Sequence, residues 1–118
     1  MQSPGLLDLN CWQGASWDYS LTWQTAGTPV NLTGYSARMQ VRSSYDSGTA
    51  VVNLTSGTGI TLGGTAGTIA LEMNATTTAA LDGTPNIQYV YDLELISGAG
   101  YVTRLVEGNF FINPEVTR

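Results

Sequence analysis

The sequence contains no histidine, no lysine and only one cysteine, Cys11. Without histidine, a cysteine–histidine nucleophile is excluded and a zinc site is nearly excluded. One cysteine cannot form an internal disulfide, so Cys11 is interpreted as a small buried apolar residue. No stretch has the length of a membrane span or the pattern of a signal peptide. These absences predict a protein that folds in a cytoplasm, without an enzymatic site, a cofactor or a metal ion.

Charge is also scarce. Charged residues make up 11% of the chain, against about 25% in an average globular domain. The formal net charge is −5, and the four basic residues are all arginine. This balance argues against nucleic-acid binding, which needs cations to replace phosphate counterions, and against an anionic membrane surface. A neutral polar surface suits burial against other subunits, although all-β domains often share it, and both interpretations remain open.

The most strongly patterned stretch runs from Ile87 to Pro114. Two runs rich in β-branched and aromatic residues flank a Ser-Gly-Ala-Gly turn, which predicts an antiparallel hairpin. Alternation places one apolar set on the inner face of its first strand: Tyr89, Tyr91, Leu93 and Leu95. A lone hairpin is marginal in water, so the upstream strands are expected to pack on it.

Upstream, short alternating runs separated by glycine-containing turns predict further strands. These strands are expected over residues 6–12, 17–23, 35–42, 49–55, 60–62 and 68–73, the last two forming a second hairpin. Asn74 is a good N-cap for a short helix over 75–81, with Gly83 ending it. The chain is one domain, 1–118, with tails at 1–5 and 115–118. The predicted fold is all-β: an Ig-like antiparallel β-sandwich with one short helix.

Three carboxylates cluster on the predicted hairpin: Asp92, Glu94 and Glu107. Paired carboxylates can hydrolyse glycosides at a suitable separation, but solvated strand side chains paired with Arg104 are the favoured interpretation. The hairpin register decides the pairing. A two-residue turn places Arg104 opposite Leu93, whereas a one-residue bulge places it opposite Asp92 or Glu94.

Two loops are predicted to contact partners. Trp12, Gln13 and Gly14 combine an exposed aromatic anchor with a glycine that lets backbone approach closely. Tyr45 and Asp46 lie in the polar loop 43–48, whose small neighbours suit adaptable contacts. Trp17 and Trp23 share a face with Leu21, so they are assigned to the core rather than to a sugar-stacking platform.

Four stretches together resemble a known group of proteins. They are Gln13–Trp17; Leu32–Arg42; 60–64 and 67–71 with Ala75–Leu81; and Tyr91–Leu95 with 102–105, 107–108 and 114–118. The chain is similar to small structural proteins of tailed bacteriophages, in particular to the N-terminal sandwich domain of upper baseplate and tail-fibre adaptor proteins. The shared features are turns and strand faces, which identify a fold family better than an activity.

This resemblance implies a non-enzymatic virion component at a tail, baseplate or fibre attachment. Its implied partners are other virion proteins and further copies of itself, with neither nucleic acid nor membrane. A capsid decoration protein is the alternative within this class. A carbohydrate-binding module that uses exposed aromatic residues is the alternative from another class.

Overall fold

The computed structural model describes residues 5–81 and 88–114. These residues are mostly β-structure, with one short α-helix and a 3-10 turn at Gly64–Ala66. In chain order the elements are β1 (Gly5–Leu6), β2 (Leu9–Trp12), β3 (Trp17–Thr22), β4 (Gln24–Thr25), β5 (Thr28–Pro29), β6 (Ser36–Arg42), β7 (Ala50–Ser56), β8 (Gly59–Leu62), β9 (Thr68–Met73), α1 (Ala75–Ala79), β10 (Gln88–Ile96) and β11 (Val102–Asn113). Gly5, assigned to a tail from the sequence, is the first residue of β1. The remaining tail residues and Gly83 lie outside the described ranges.

Nine strands form one continuous sheet in the order β1–β11–β10–β6–β7–β8–β9–β3, and β2 also pairs with β11. The pairs along its centre, β11–β10–β6–β7, are antiparallel, as are β8–β9 and β9–β3. β4 and β5 form a separate two-stranded ribbon. The predicted hairpins β8–β9 and β10–β11 are therefore confirmed.

The sheet curls until strands from its two ends face each other across one core. Trp17 of β3 packs edge-to-face on Phe110 of β11, with 5.7 Å between ring centroids. The Trp17 indole N–H also donates a 2.8 Å hydrogen bond to the Asn10 carbonyl in β2. Inward-facing side chains from the whole sheet fill the enclosed space, including Ala37, Met39, Val41, Val52, Leu54, Ile69, Leu71, Met73, Tyr89, Tyr91, Leu93 and Leu95. The inward face predicted by alternation for Tyr89, Tyr91, Leu93 and Leu95 is confirmed.

The hairpin register is settled by a bulge. Arg104 lies opposite Glu94, while the next paired residue of β10, Leu93, lies opposite Val106. Leu105 is thus left without a direct partner between these two pairs, as expected for a β-bulge. Of the two registers left open by the sequence, the bulged one is confirmed.

The N-terminal strands correct the expectation of a purely antiparallel fold. Both β1 and β2 pair with β11 in parallel, with Leu9 opposite Phe110 and Cys11 opposite Ile112. The predicted single strand over 6–12 is also divided in two, because Leu7 and Asp8 leave the ladder. A parallel pair is not joined by a hairpin turn, so the sequence contains no turn motif that would predict it.

Gly108 explains how the chain crosses from β1 to β2. A Cβ atom at this position would lie 2.3 Å from the Leu7 carbonyl oxygen. The same oxygen accepts a 2.5 Å hydrogen bond from the Tyr91 hydroxyl, and Leu7 N–H donates to the Glu107 carbonyl at 2.9 Å. Glycine in this strand thus permits a close approach of backbone to backbone.

Replacing Gly108 by alanine is expected to destabilise the protein by about 1–3 kcal/mol, because the added methyl group must displace Leu7 and its hydrogen bonds. Urea denaturation of the variant checks this expectation. Gly48→Ala is the matched control, since a Cβ atom there would meet nothing within 4 Å. Equal denaturation midpoints for the two variants would show that the Leu7 backbone moves aside without a measurable loss of stability.

The helix begins as its cap residue predicts. The Asn74 side-chain oxygen accepts a 2.8 Å hydrogen bond from Thr77 N–H, satisfying one of the free donors of the first turn. The helix ends at Ala79, shorter than predicted. The run of β-branched threonines, which disfavours longer helices, is consistent with this early end.

Candidate functional site

Trp12 lies at the exposed end of β2. Its side chain is 58% exposed, since alternation buries Leu9 and Cys11 and turns Asn10 and Trp12 outward. Burial raises the pKa of the Cys11 thiol to about 11, which leaves the thiol protonated and a poor nucleophile at neutral pH. β2 therefore presents an aromatic ring outside the core and no reactive group.

The turn after Trp12 is hydrogen-bonded to the helix region and stays partly exposed. Gln13 Nε2 donates a 2.7 Å hydrogen bond to the Leu81 carbonyl, and Gly14 N–H donates to Thr78 Oγ1 at 3.1 Å. Thr78 is fully buried, and its hydroxyl donates to the Ala15 carbonyl at 2.8 Å. Gly14 adopts a φ of 83°, which glycine tolerates without strain. These groups attach the helix to the turn, a role that no local sequence pattern indicates.

The loop 43–49 carries the second predicted contact. Tyr45 is 75% exposed, and Asp46 is also exposed. Arg42 orders the loop from its base, because its guanidinium donates to the Ser47 carbonyl at 2.8 Å and to Gln40 Oε1 at 2.7 Å. The Tyr45 side chain lines a shallow cleft of about 230 Å³ on the outer face of the sheet.

Trp12 and Tyr45 lie at the same end of the sheet. Trp12 is opposite Asn113 near the end of β11, and β10 begins beside that end. Arg42, the last residue of β6, is opposite Val90 of β10 and leads directly into the Tyr45 loop. The two aromatic positions are therefore three strand intervals apart along the curled surface, and each interval is about 4.8 Å.

Two apolar side chains lie between them, and Arg42, Asp92 and Arg104 line the cleft beside Tyr45 and Val90. Phe111 of β11 and Val90 of β10 are outward-facing and half-buried, beside the amide side chains of Asn10 and Gln88. Trp12, Phe111, Val90 and Tyr45 are called the outer aromatic patch below. Phe111 and Val90 join this patch only through strand pairing, so the sequence alone did not identify them.

The predicted carboxylates lie farther along the same outer face, in a charged strip with two arginines. Arg38 Nε contacts Glu94 Oε1 at 2.6 Å, and Arg104 lies 3.4 Å from both Asp92 and Glu107. Burial raises the pKa of the Asp92 carboxyl, Glu94 raises it further, and Arg104 opposes them. The predicted pairing with Arg104 is confirmed for Asp92 and Glu107, whereas Glu94 pairs with Arg38.

A second cleft, of about 640 Å³, is lined by residues of β3, β7 and β9 and the start of the helix. β8 pairs with β9 only as far as Leu71, so the end of β9 has no β8 neighbour. Asn53, Asn74 and Thr77 line the cleft with Asp18 and Glu72, whose carboxylates come from directly opposed positions of β3 and β9. Its lining has acidic and neutral polar groups without a basic side chain.

Within residues 5–81 and 88–114, no group of three or more histidine, cysteine, aspartate or glutamate side chains is placed to hold a metal ion. Across the same residues, no helix is long and apolar enough to cross a membrane. A scan of protein-family models and a search of curated proteins found no match to the chain.

Proposed function

We propose that this protein is a non-enzymatic structural component of a tailed-phage virion, acting as an adaptor at the tail, baseplate or fibre attachment. The outer aromatic patch carries the proposal. Desolvating the uncharged side chains of this patch costs less free energy than desolvating charged ones, and exposed tryptophan and tyrosine are the side chains that most often anchor protein interfaces. In this proposal the two halves of the curled sheet serve as the layers of an Ig-like sandwich.

The charge distribution supports protein partners over nucleic acid. Each of the three described arginines is already engaged: Arg38 with Glu94, Arg42 with the 43–49 loop, and Arg104 with Asp92 and Glu107. Phosphate binding would require breaking these pairs. Other virion proteins, including copies of this chain, are therefore the proposed partners, and the assembled virion is the proposed location. A capsid decoration protein would use the same patch in a different part of the particle.

The test is incorporation of the protein into phage particles with Trp12→Ala or Tyr45→Ala. We expect each variant to reduce incorporation substantially, because each removes one aromatic anchor from the patch. Salt should have little effect, since the four patch side chains are uncharged and few charges lie beside them to be screened. Tyr101→Ala is the matched control, because Tyr101 is 71% exposed but lies at the opposite end of the hairpin.

Normal incorporation of both patch variants, together with loss of incorporation at high salt, would contradict the use of this patch. Interfaces of the charged strip would then be the better candidates.

A carbohydrate-binding module is the second candidate, favoured by the exposure of Trp12 and Tyr45 beside amide side chains that can hydrogen-bond sugar hydroxyls. Titration with cell-wall and capsular oligosaccharides separates the two functions. Saturable binding that Trp12→Ala and Tyr45→Ala abolish and Tyr101→Ala retains would identify the module.

A further inference from the structure

β3 forms one edge of the sheet, and among the described residues it pairs only with β9. Trp23 N–H, just beyond β3, donates to the Gly67 carbonyl on the β9 side. Because backbone groups alternate along a strand, the N–H and C=O groups of Asp18, Ser20 and Thr22 point away from β9. The edge also lacks lysine and proline, the residues that commonly prevent strands from adding to an edge.

The inner face of β3 is incompletely covered. Tyr19 is 36% exposed and Leu21 is half-buried, whereas their partners on β9, Leu71 and Ile69, are 1% and 0% exposed. Trp17 at the start of the strand is buried against β2. From Tyr19 onward the inner face of β3 is therefore less covered than that of β9, although Leu21 still packs against the core.

The outer face of β3 carries an uncompensated negative charge. Asp18 lies directly opposite Glu72, and like charges in this arrangement are destabilising. The ion pairs of the described residues involve other carboxylates. The described arginines lie on β6 and β11, which are interior strands of the sheet. Any cation that pairs with Asp18 would therefore come from outside the described residues.

We propose that the edge of β3 binds an extended segment of a partner protein, which adds to the sheet as a further strand. The segment carries lysine or arginine opposite Asp18 and apolar residues opposite Tyr19 and Leu21. Main-chain hydrogen bonds to Ser20 and its neighbours supply affinity, and the alternating side chains supply specificity. A second copy fits poorly, because its own edge strands β1, β2 and β3 hold no basic residue. This inference concerns a different surface from the outer aromatic patch and stands independently of the proposed function.

The probe is the peptide acetyl-Thr-Val-Thr-Val-Lys-Val-amide, compared with the same peptide carrying glutamate in place of lysine. NMR titration of the labelled protein should shift the amide resonances of Asp18, Ser20 and Thr22. We expect the lysine peptide to bind roughly two- to fivefold more tightly, the range for an exposed ion pair. Equal binding of the two peptides, or no saturable binding at millimolar peptide, would overturn the proposal.

Two variants separate the backbone and charge contributions. Ser20→Pro removes an N–H that faces away from β9, so the sheet should remain folded while peptide affinity falls about tenfold, through one lost hydrogen bond and a blocked edge. Ser20→Ala, which keeps the N–H, should bind like the parent protein. Asp18→Lys should reverse the preference and favour the glutamate peptide. Unchanged affinity in Ser20→Pro, with the fold checked by its denaturation midpoint, would refute strand addition at this edge.

Other occupants have distinct outcomes, each of which overturns the proposal. A dimer of the parent protein that Ser20→Pro converts to a monomer would identify a second copy at the edge. Peptide binding that appears only after deletion of residues 115–118, which include Arg118, would identify the chain's own C-terminal segment.

Discussion

Replacing Phe110 by alanine is expected to lower the free energy of unfolding by about 3–5 kcal/mol, the range for truncating a fully buried phenylalanine. Phe110 has no exposed surface. Its ring packs edge-to-face on Trp17 and also on Tyr91, at centroid distances of 5.7 and 6.3 Å. Truncation therefore leaves a cavity between opposite sides of the curled sheet and removes two aromatic contacts, each of which adds to the cost of the lost area.

Urea denaturation followed by tryptophan fluorescence measures this effect. Phe111→Ala is the matched control, because the neighbouring side chain has the same size but points to the outer face and is only half-buried. We expect the control to cost clearly less. Equal losses in the two variants would mean that Phe110 is not the contact that joins β11 to β3.

Leu93→Ala is expected to cost about 2–5 kcal/mol. Leu93 is fully buried at the centre of the sheet, on the strand that pairs with both β11 and β6. It also adjoins the bulge between Leu93 and Glu94.

Leu6→Ala provides the comparison, since it makes the same chemical change at a side chain that is 83% exposed. Thermal and chemical unfolding of both variants should show a large loss for Leu93 and a small one for Leu6. A midpoint for Leu93→Ala equal to that of the parent protein would exclude this face of β10 from the core.

Local sequence patterns were sufficient to predict features that depend on neighbouring residues, namely the buried faces of strands and the start of the helix. The inward faces of β6, β9 and β10 follow from alternation, because a strand with one buried face must place apolar residues at every second position. Asn74 identified the helix start because its side chain caps a turn only three residues away. Both signals act within a few residues and require no knowledge of the tertiary fold.

Local sequence patterns did not predict contacts between segments that are distant in the sequence. The parallel pairing of β2 with β11 depends on contacts between the two ends of the chain, and no turn residue encodes it. The same limitation applied to Gln13 and Gly14. Their hydrogen bonds join residues more than 60 positions apart in the sequence, which no local pattern indicates, while their contact with a partner stays a prediction.

The candidate surface was predicted in part. Trp12 and Tyr45 were identified individually because large aromatic side chains beside small polar residues in loops are seldom core. Their placement at one end of one face depends on the register across β11, β10 and β6. The free edge of β3 likewise follows from the order of strands, which alternation along a single strand does not determine.

The pairing of the first strands with the last one also sets the order of events during synthesis. Asp8 accepts a hydrogen bond from Asn109 N–H, 101 positions later in the chain. On the ribosome, β1 and β2 emerge early, but their ladder cannot form until β11 has been translated. Closing so long a loop delays folding, because its entropy is lost before the contacts that offset it are made. We therefore expect Leu9 and Cys11 to remain exposed on the nascent chain and to become buried only in a late step of folding.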